Sequence, residues 1–121
     1  YMGSAFIATR EANAVPGYKD MIVAGGADDI VTSSLFTGVS GNYLRPSIEA
    51  AGMDPDNLPS ADASSMNFGS GSSKPKAWKE IWGAGQGIGA VKQIGGVAEL
   101  VDRIETEYRT AGTRLAAEFA Q

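Results

Sequence analysis

At 121 residues and 12.5 kDa, the chain is long enough for one small domain and too short for a complete (β/α)8 barrel, which needs about 250 residues. Ten basic against 14 acidic residues give a net charge of −4, without the basic excess that phosphate-backbone binding requires, so nucleic acid is not an expected partner. Cysteine and histidine are both absent, which removes disulfides, thiolate chemistry and the commonest neutral-pH proton carrier.

In chain order, residues 1–9 are nearly continuously apolar and read as the end of a buried strand, then a turn and a helix start capped by Thr9. The chain opens on Tyr1 and goes straight into this apolar run, which reads as a piece of a longer polypeptide. Pro16 interrupts the pattern, and residues 18–24 read as a separate short helix closed by Gly25 and Gly26. The β-branched run 28–36 reads as an extended segment, followed by a turn-rich loop at 37–42. Pro46 suits the first turn of a helix through Ala51, with Gly52 ending it. Residues 54–73 read as a long loop, the kind that serves as a cover or linker, and 76–82 as one or two helical turns. A glycine-rich loop follows at 83–89. The clearest element is last: Val97, Leu100, Val101, Ile104, Tyr108, Ala111, Leu115 and Phe119 form one stripe at helical spacing. The remaining elements offer this stripe too little surface, so a partner surface is expected. No apolar run approaches the ~20 residues of a membrane span.

Three constellations could carry chemistry. Gly3 and Ser4, at a strand end with a helix after them, have the composition of an anion site built from backbone N–H groups and a hydroxyl. One Gly-Ser pair is a weak signal, and the plainer reading is that Gly3 only permits a tight strand-to-helix turn. In the glycine loop, Gly85, Gly87 and Ala90 match the loose pattern G-x-G-x-x-A, with Glu105 at the distance of a ribose-binding acid. The preceding Lys79-Glu80-Ile81-Trp82 is too short and charged for the core strand a dinucleotide fold needs. The loop therefore either packs closely on a flat ligand, with Gln86 as its polar side chain, or is structural. Lys74, Lys76 and Lys79 beside Trp78 and Trp82 could stack bases and bind phosphates; with Glu80 among them, the alternative is a solvated face with tryptophans packed inward. The carboxylates Asp28, Asp29, Asp54, Asp56 and Asp62 are scattered and match no cation loop, so no metal site is expected.

The order of motifs resembles a known family. Met2-Gly3-Ser4-Ala5-Phe6-Ile7-Ala8-Thr9-Arg10-Glu11-Ala12 is similar to the G-T-x-F-x-A-T-x-E-A segment of the nitronate monooxygenases, also called 2-nitropropane dioxygenases. Ala14-Val15-Pro16-Gly17-Tyr18-Lys19, Phe36-Thr37-Gly38-Val39-Ser40-Gly41-Asn42-Tyr43-Leu44 and Trp82-Gly83-Ala84-Gly85-Gln86-Gly87 continue the likeness in the same order. It runs from Tyr1 to about Tyr108, and flavin-dependent enoyl reductases carry similar segments. The resemblance implies an α/β chain, mostly helix and loop, forming the C-terminal part of an FMN-binding (β/α)8 TIM barrel with helical lid segments. Residues 1–27 would be the end of the last barrel strand with its following helices, 28–82 a lid or insertion, and 83–121 the glycine loop and C-terminal helix. Met2, Gly3 and Ser4 would hold the FMN phosphate, with Tyr1 a neighbour, and Gly85 and Gln86 would approach the flavin ring. Ser4 keeps the hydroxyl of the family's Thr, whereas Ala5 stands where the family often has Arg.

The implied activity is oxidation of nitronates with O2 by a cytoplasmic enzyme, a homo-oligomer being among the expectations. The catalytic His of the family has no counterpart here, so no catalytic residue is assigned and the chain by itself is expected to be inactive. The competing readings are a flavin-dependent enoyl-thioester reductase and a non-catalytic helical domain that binds a partner.

Overall fold

A computed structural model describes residues 2–59 and 79–120. The elements in order are helix α1 (Gly3–Ile7), helix α2 (Pro16–Ala24), strand β1 (Ile30–Ser33), strand β2 (Gly41–Leu44), helix α3 (Arg45–Ala50) and the long helix α4 (Val97–Phe119). Short 3-10 turns occupy Ala27–Asp29 and Gln86–Ala90. The described residues thus form a mixed helix–strand unit. They contain one two-stranded antiparallel sheet and do not show a barrel.

The N-terminal segment corrects the sequence expectation. Residues 3–7 are helical, and Thr9 makes only an isolated parallel bridge to Gly95. A continuous apolar run has no period to separate a buried strand from a buried helix. The helix wins here because it sets Ala5 and Ala8, three residues apart, together in the core. Thr9 does not cap a following helix. It is buried, and its hydroxyl donates to the Phe6 carbonyl (2.7 Å), closing α1 from behind. Residues 10–15 are turns and bends.

Proline and glycine punctuation is obeyed more closely. Pro16 opens α2 at a position whose N–H would be unbonded anyway, and Gly25 ends it. Pro46 sits in the first turn of α3, and Gly52 follows the helix at φ +84°, in the left-handed region that suits glycine. The extended segment is shorter than 28–36, because Ala27–Asp29 coil into a 3-10 turn in which Gly26 N–H donates to the Asp29 carboxylate (2.9 Å). The turn-rich reading of 37–42 gives way at its end, where Gly41 and Asn42 enter β2 and pair with Ser33 and Thr32. Phe36 packs edge-on against Tyr43 across this hairpin, centroids 4.8 Å apart.

The core joins distant parts of the chain: Ala5, Ala8, Ile22, Leu44, Ala84, Ile88, Val91 and Leu100 form one buried cluster. Its sheet edge is extended by a non-strand segment. Leu44 N–H donates to the Trp82 carbonyl (2.8 Å), Ala84 N–H donates to the Asn42 carbonyl (3.2 Å), and Gly83 makes an antiparallel bridge to Tyr43. The buried Ser47 hydroxyl locks this junction, accepting from Trp82 N–H (3.1 Å) and donating to the Leu44 carbonyl (2.7 Å).

Helix α4 has the predicted extent and the predicted stripe, but only its first turns are docked. Leu100 is 8% exposed and Ile104 half-buried, whereas Tyr108 is 80%, Leu115 54% and Phe119 83% exposed. No helix among the described residues is long and apolar enough to cross a membrane.

Two outcomes are expected. Ser47→Ala leaves Trp82 N–H without its buried acceptor and should lower unfolding free energy by about 1–3 kcal/mol, read from a urea transition; an unchanged midpoint would show that the junction is held otherwise. The 121-residue chain should self-associate or bind an apolar dye such as ANS, and Tyr108→Glu with Leu115→Glu should reduce both. A monomer that binds no dye would contradict the exposure of the stripe.

Candidate functional site

Two segments singled out in the sequence meet in the structure. Gly85 N–H donates to Ser4 Oγ at 2.8 Å, across 81 residues of chain. Gly3 and Ser4 open α1, and the next amide, that of Ala5, donates to the Met2 carbonyl (3.1 Å). Gly85 immediately precedes the 3-10 turn Gln86–Ala90. Met2, Gly3, Gly85, Gln86 and Gly87 are exposed, and Ser4 is half-buried between them. A side chain at Gly3 or Gly87 would meet no other atom within 4 Å, so the backbone here faces open space. The five candidate cofactor residues Met2, Gly3, Ser4, Gly85 and Gln86 thus share one open surface. Tyr1 lies outside the described residues.

Ser4 has a defined hydrogen-bonding polarity. Its oxygen accepts from Gly85, and among the described residues its O–H meets no acceptor. The hydroxyl therefore suits an anionic or carbonyl acceptor better than a donor.

The glycine turn is held from behind by aromatic packing. Tyr18, on α2, stacks on Trp82 with ring centroids 5.1 Å apart and planes within 4°, and its hydroxyl donates to the Gly83 carbonyl. Partial burial raises the Tyr18 phenol above its ordinary range, so it remains a neutral donor at physiological pH. Downstream, Ile88 is fully buried and anchors the other end of the turn. The tyrosine was not among the residues read as site candidates; its apolar helical context gave no sign that it reaches a loop 65 residues away.

The other constellations resolve towards structural roles. Gly85, Gly87 and Ala90 do not form the strand–turn–helix of a dinucleotide site: they lie at and within a 3-10 turn, and Glu105 sits on exposed α4, ion-paired to Arg109 (2.8 Å). Trp82 packs inward on Tyr18 while Lys79 and Glu80 are exposed. Lys74, Lys76 and Trp78 lie outside the described residues, as does Asp62. Asp54 accepts from Asn57 Nδ2 (2.8 Å) and Asp56 N–H (3.0 Å), bonds that hold its carboxyl below the ordinary range, and Asp56 pairs with Arg45 (2.9 Å). These carboxylates are spent on a turn. No group of three potential metal ligands occurs among the described residues.

A separate small cleft of about 70 Å³ lies where α1 meets the start of α4, lined by Ala8, Thr9, Gly95, Glu99 and Arg103 among others. Its rim is an electrostatic fastening. Arg10 pairs with Glu99 (2.9 Å), Arg10 N–H donates to the Gly95 carbonyl (2.9 Å), and the Glu11 carboxylate accepts Val97 N–H (2.7 Å) at the helix N-terminus. The Arg10 guanidinium, with help from Gly96 N–H, holds the Glu99 carboxyl below the usual range. Comparison with protein-family models, curated proteins and solved structures finds no match to this chain.

The direction of the Glu99 shift sets an acid dependence. Because its native value is depressed, the contact stabilises fully above the ordinary glutamate range and is lost as pH falls through the depressed native value. Wild type should therefore exceed Glu99→Gln in thermal midpoint at neutral pH, modestly since both groups are exposed, and the difference should vanish in acid. A difference that persists at the lowest pH would assign the effect to something other than the carboxylate charge.

Proposed function

We propose that this chain is the C-terminal portion of an FMN-dependent (β/α)8 barrel oxidoreductase that oxidises nitronates with O2, a cytoplasmic enzyme of nitronate monooxygenase type. The observation that carries the reading is the hydrogen bond between Gly85 and Ser4. In the family that the motifs resemble, the segments matching these two residues both face the flavin. Here they adjoin, although nothing in their local sequences requires it.

The residues present fit one side of such a group. Exposed glycine backbone at Gly3 and Gly87 leaves room for close approach, and the Ser4 hydroxyl has a proton to donate to a phosphate oxygen. Gly3 and Ser4 would hold the phosphate end, while Gln86 offers an exposed amide beside it. When bound, FMN supplies the electron acceptor for the nitronate, and O2 completes the oxidation. This chain's own contribution is to bind and orient: Ser4 donates, Gly85 fixes the direction in which Ser4 donates, and Gly3 leaves the backbone open to close approach. It brings no histidine for proton transfer, so that step falls to the remainder of the barrel. The exposed stripe of α4 supports the same reading, since it supplies an apolar face for further structure to cover.

The longer polypeptide that this proposal requires should purify yellow with FMN and consume O2 on addition of a nitronate. Ser4→Ala should weaken FMN binding by roughly tenfold, the loss of one hydrogen bond to a charged acceptor. The 121-residue chain by itself should do neither. NAD(P)H-dependent reduction of an enoyl thioester in place of nitronate oxidation would move the assignment to the reductases, and a colourless protein that binds no FMN would remove it.

A further inference from the structure

We propose that Tyr18 is a positioning residue for this site, setting through Trp82 and Gly83 where the Gly85–Gln86 turn lies relative to Ser4. The inference rests on the FMN reading for its ligand, and on the structure for its mechanics.

The mechanical need arises from the glycines. Gly83, Gly85, Gly87 and Gly89 alternate through one short segment, and each carries a large backbone entropy that must be overcome to hold a single conformation. A turn of this composition presents a backbone N–H to Ser4 at 2.8 Å only if both of its ends are fixed. Ile88 fixes one end by burial. At the other end the fixed points are Trp82 and Gly83. The peptide groups of this stretch are tied to β2 and Ser47, and Ala84 is buried in the core, which holds the segment along one edge. Tyr18 supplies the constraint from α2. Its ring covers Trp82, and its hydroxyl takes the Gly83 carbonyl, two residues before Gly85. The neutral phenol keeps its proton over the working pH range and with it the bond to Gly83.

The consequence is a chain of contacts running Tyr18, Gly83, Gly85, Ser4. The contacts of Tyr18 are to Trp82 and Gly83, so its influence on binding passes through the position of Gly85. That distinguishes it from a residue that merely adds stability.

The test uses three substitutions, one of them a remote control, and two readouts. Tyr18→Phe keeps the stack and removes the hydroxyl, and Ser4→Ala removes the acceptor of Gly85. In the FMN-binding polypeptide, Tyr18→Phe should weaken FMN by roughly two- to tenfold, the loss of one hydrogen bond transmitted to the site. Combined with Ser4→Ala it should add nothing further, because both act on the same contact. Glu99→Gln, remote from the turn, should leave FMN affinity unchanged. Independently of any ligand, the Gly85 amide should exchange with solvent several-fold faster in Tyr18→Phe than in wild type. Unchanged Gly85 exchange overturns the positioning role whether or not FMN binds, as do additive effects of the two substitutions. Faster exchange in a protein that binds no FMN would keep the mechanical role of Tyr18 and overturn the flavin reading alone.

Discussion

The backbone pairing of Trp82, Gly83 and Ala84 along the free edge of β2 is the constraint on which the rest of the structure depends. A two-stranded hairpin is marginal by itself. Here β2 receives bonds on both sides, from β1 and from a segment with no strand of its own. That third row brings residues 82–84 onto the core beside β2. Without it, the glycine turn would have no reason to lie against α1, and Ile88 and Val91 would lose the place where they join Ala5, Ile22 and Leu44. Ser47 matters for the same reason: one hydroxyl satisfies a peptide group from each side of the junction.

Legibility in the sequence divides along physical lines. Elements whose boundaries are fixed by local chemistry were readable. Pro16 and Pro46 open helices because proline tolerates only the first turn, Gly52 follows α3 because its φ is positive, and α4 declares itself by period. Elements defined by what they pair with were not. Residues 3–7 carry no period, and their helical state is decided by the core that Ala5 and Ala8 reach. Gly41 and Asn42 read as turn because their strand character comes from the partners Ser33 and Thr32.

The candidate site shows the same division at higher resolution. Glycine spacing and a lone Gly-Ser pair are weak signals separately, and each admits a purely structural explanation. Their adjacency is long-range information, present in no window of sequence, and only the order of motifs pointed towards it. Tyr18 was beyond reach on any local argument, since its role is fixed by a carbonyl 65 residues away.

Helix α4 places a different demand on the fold. Its first turn is tied by charge and caps to residues 10 and 11, and Leu100 completes the core, yet the same apolar stripe continues past the surface that covers it. Burying a large aromatic or aliphatic side chain is worth about 1.5–3 kcal/mol relative to leaving it exposed, so Tyr108, Leu115 and Phe119 together represent a substantial unrealised driving force. The stripe keeps its helical spacing where the described residues offer it no contact. Solvation alone gives a helix no physical reason to hold that register. The open surface at Ser4 and Gly85 has the same character: polar groups are oriented on one side of a space, with no described residue opposite. Both features leave demands unmet among the described residues, apolar along α4 and polar at Ser4.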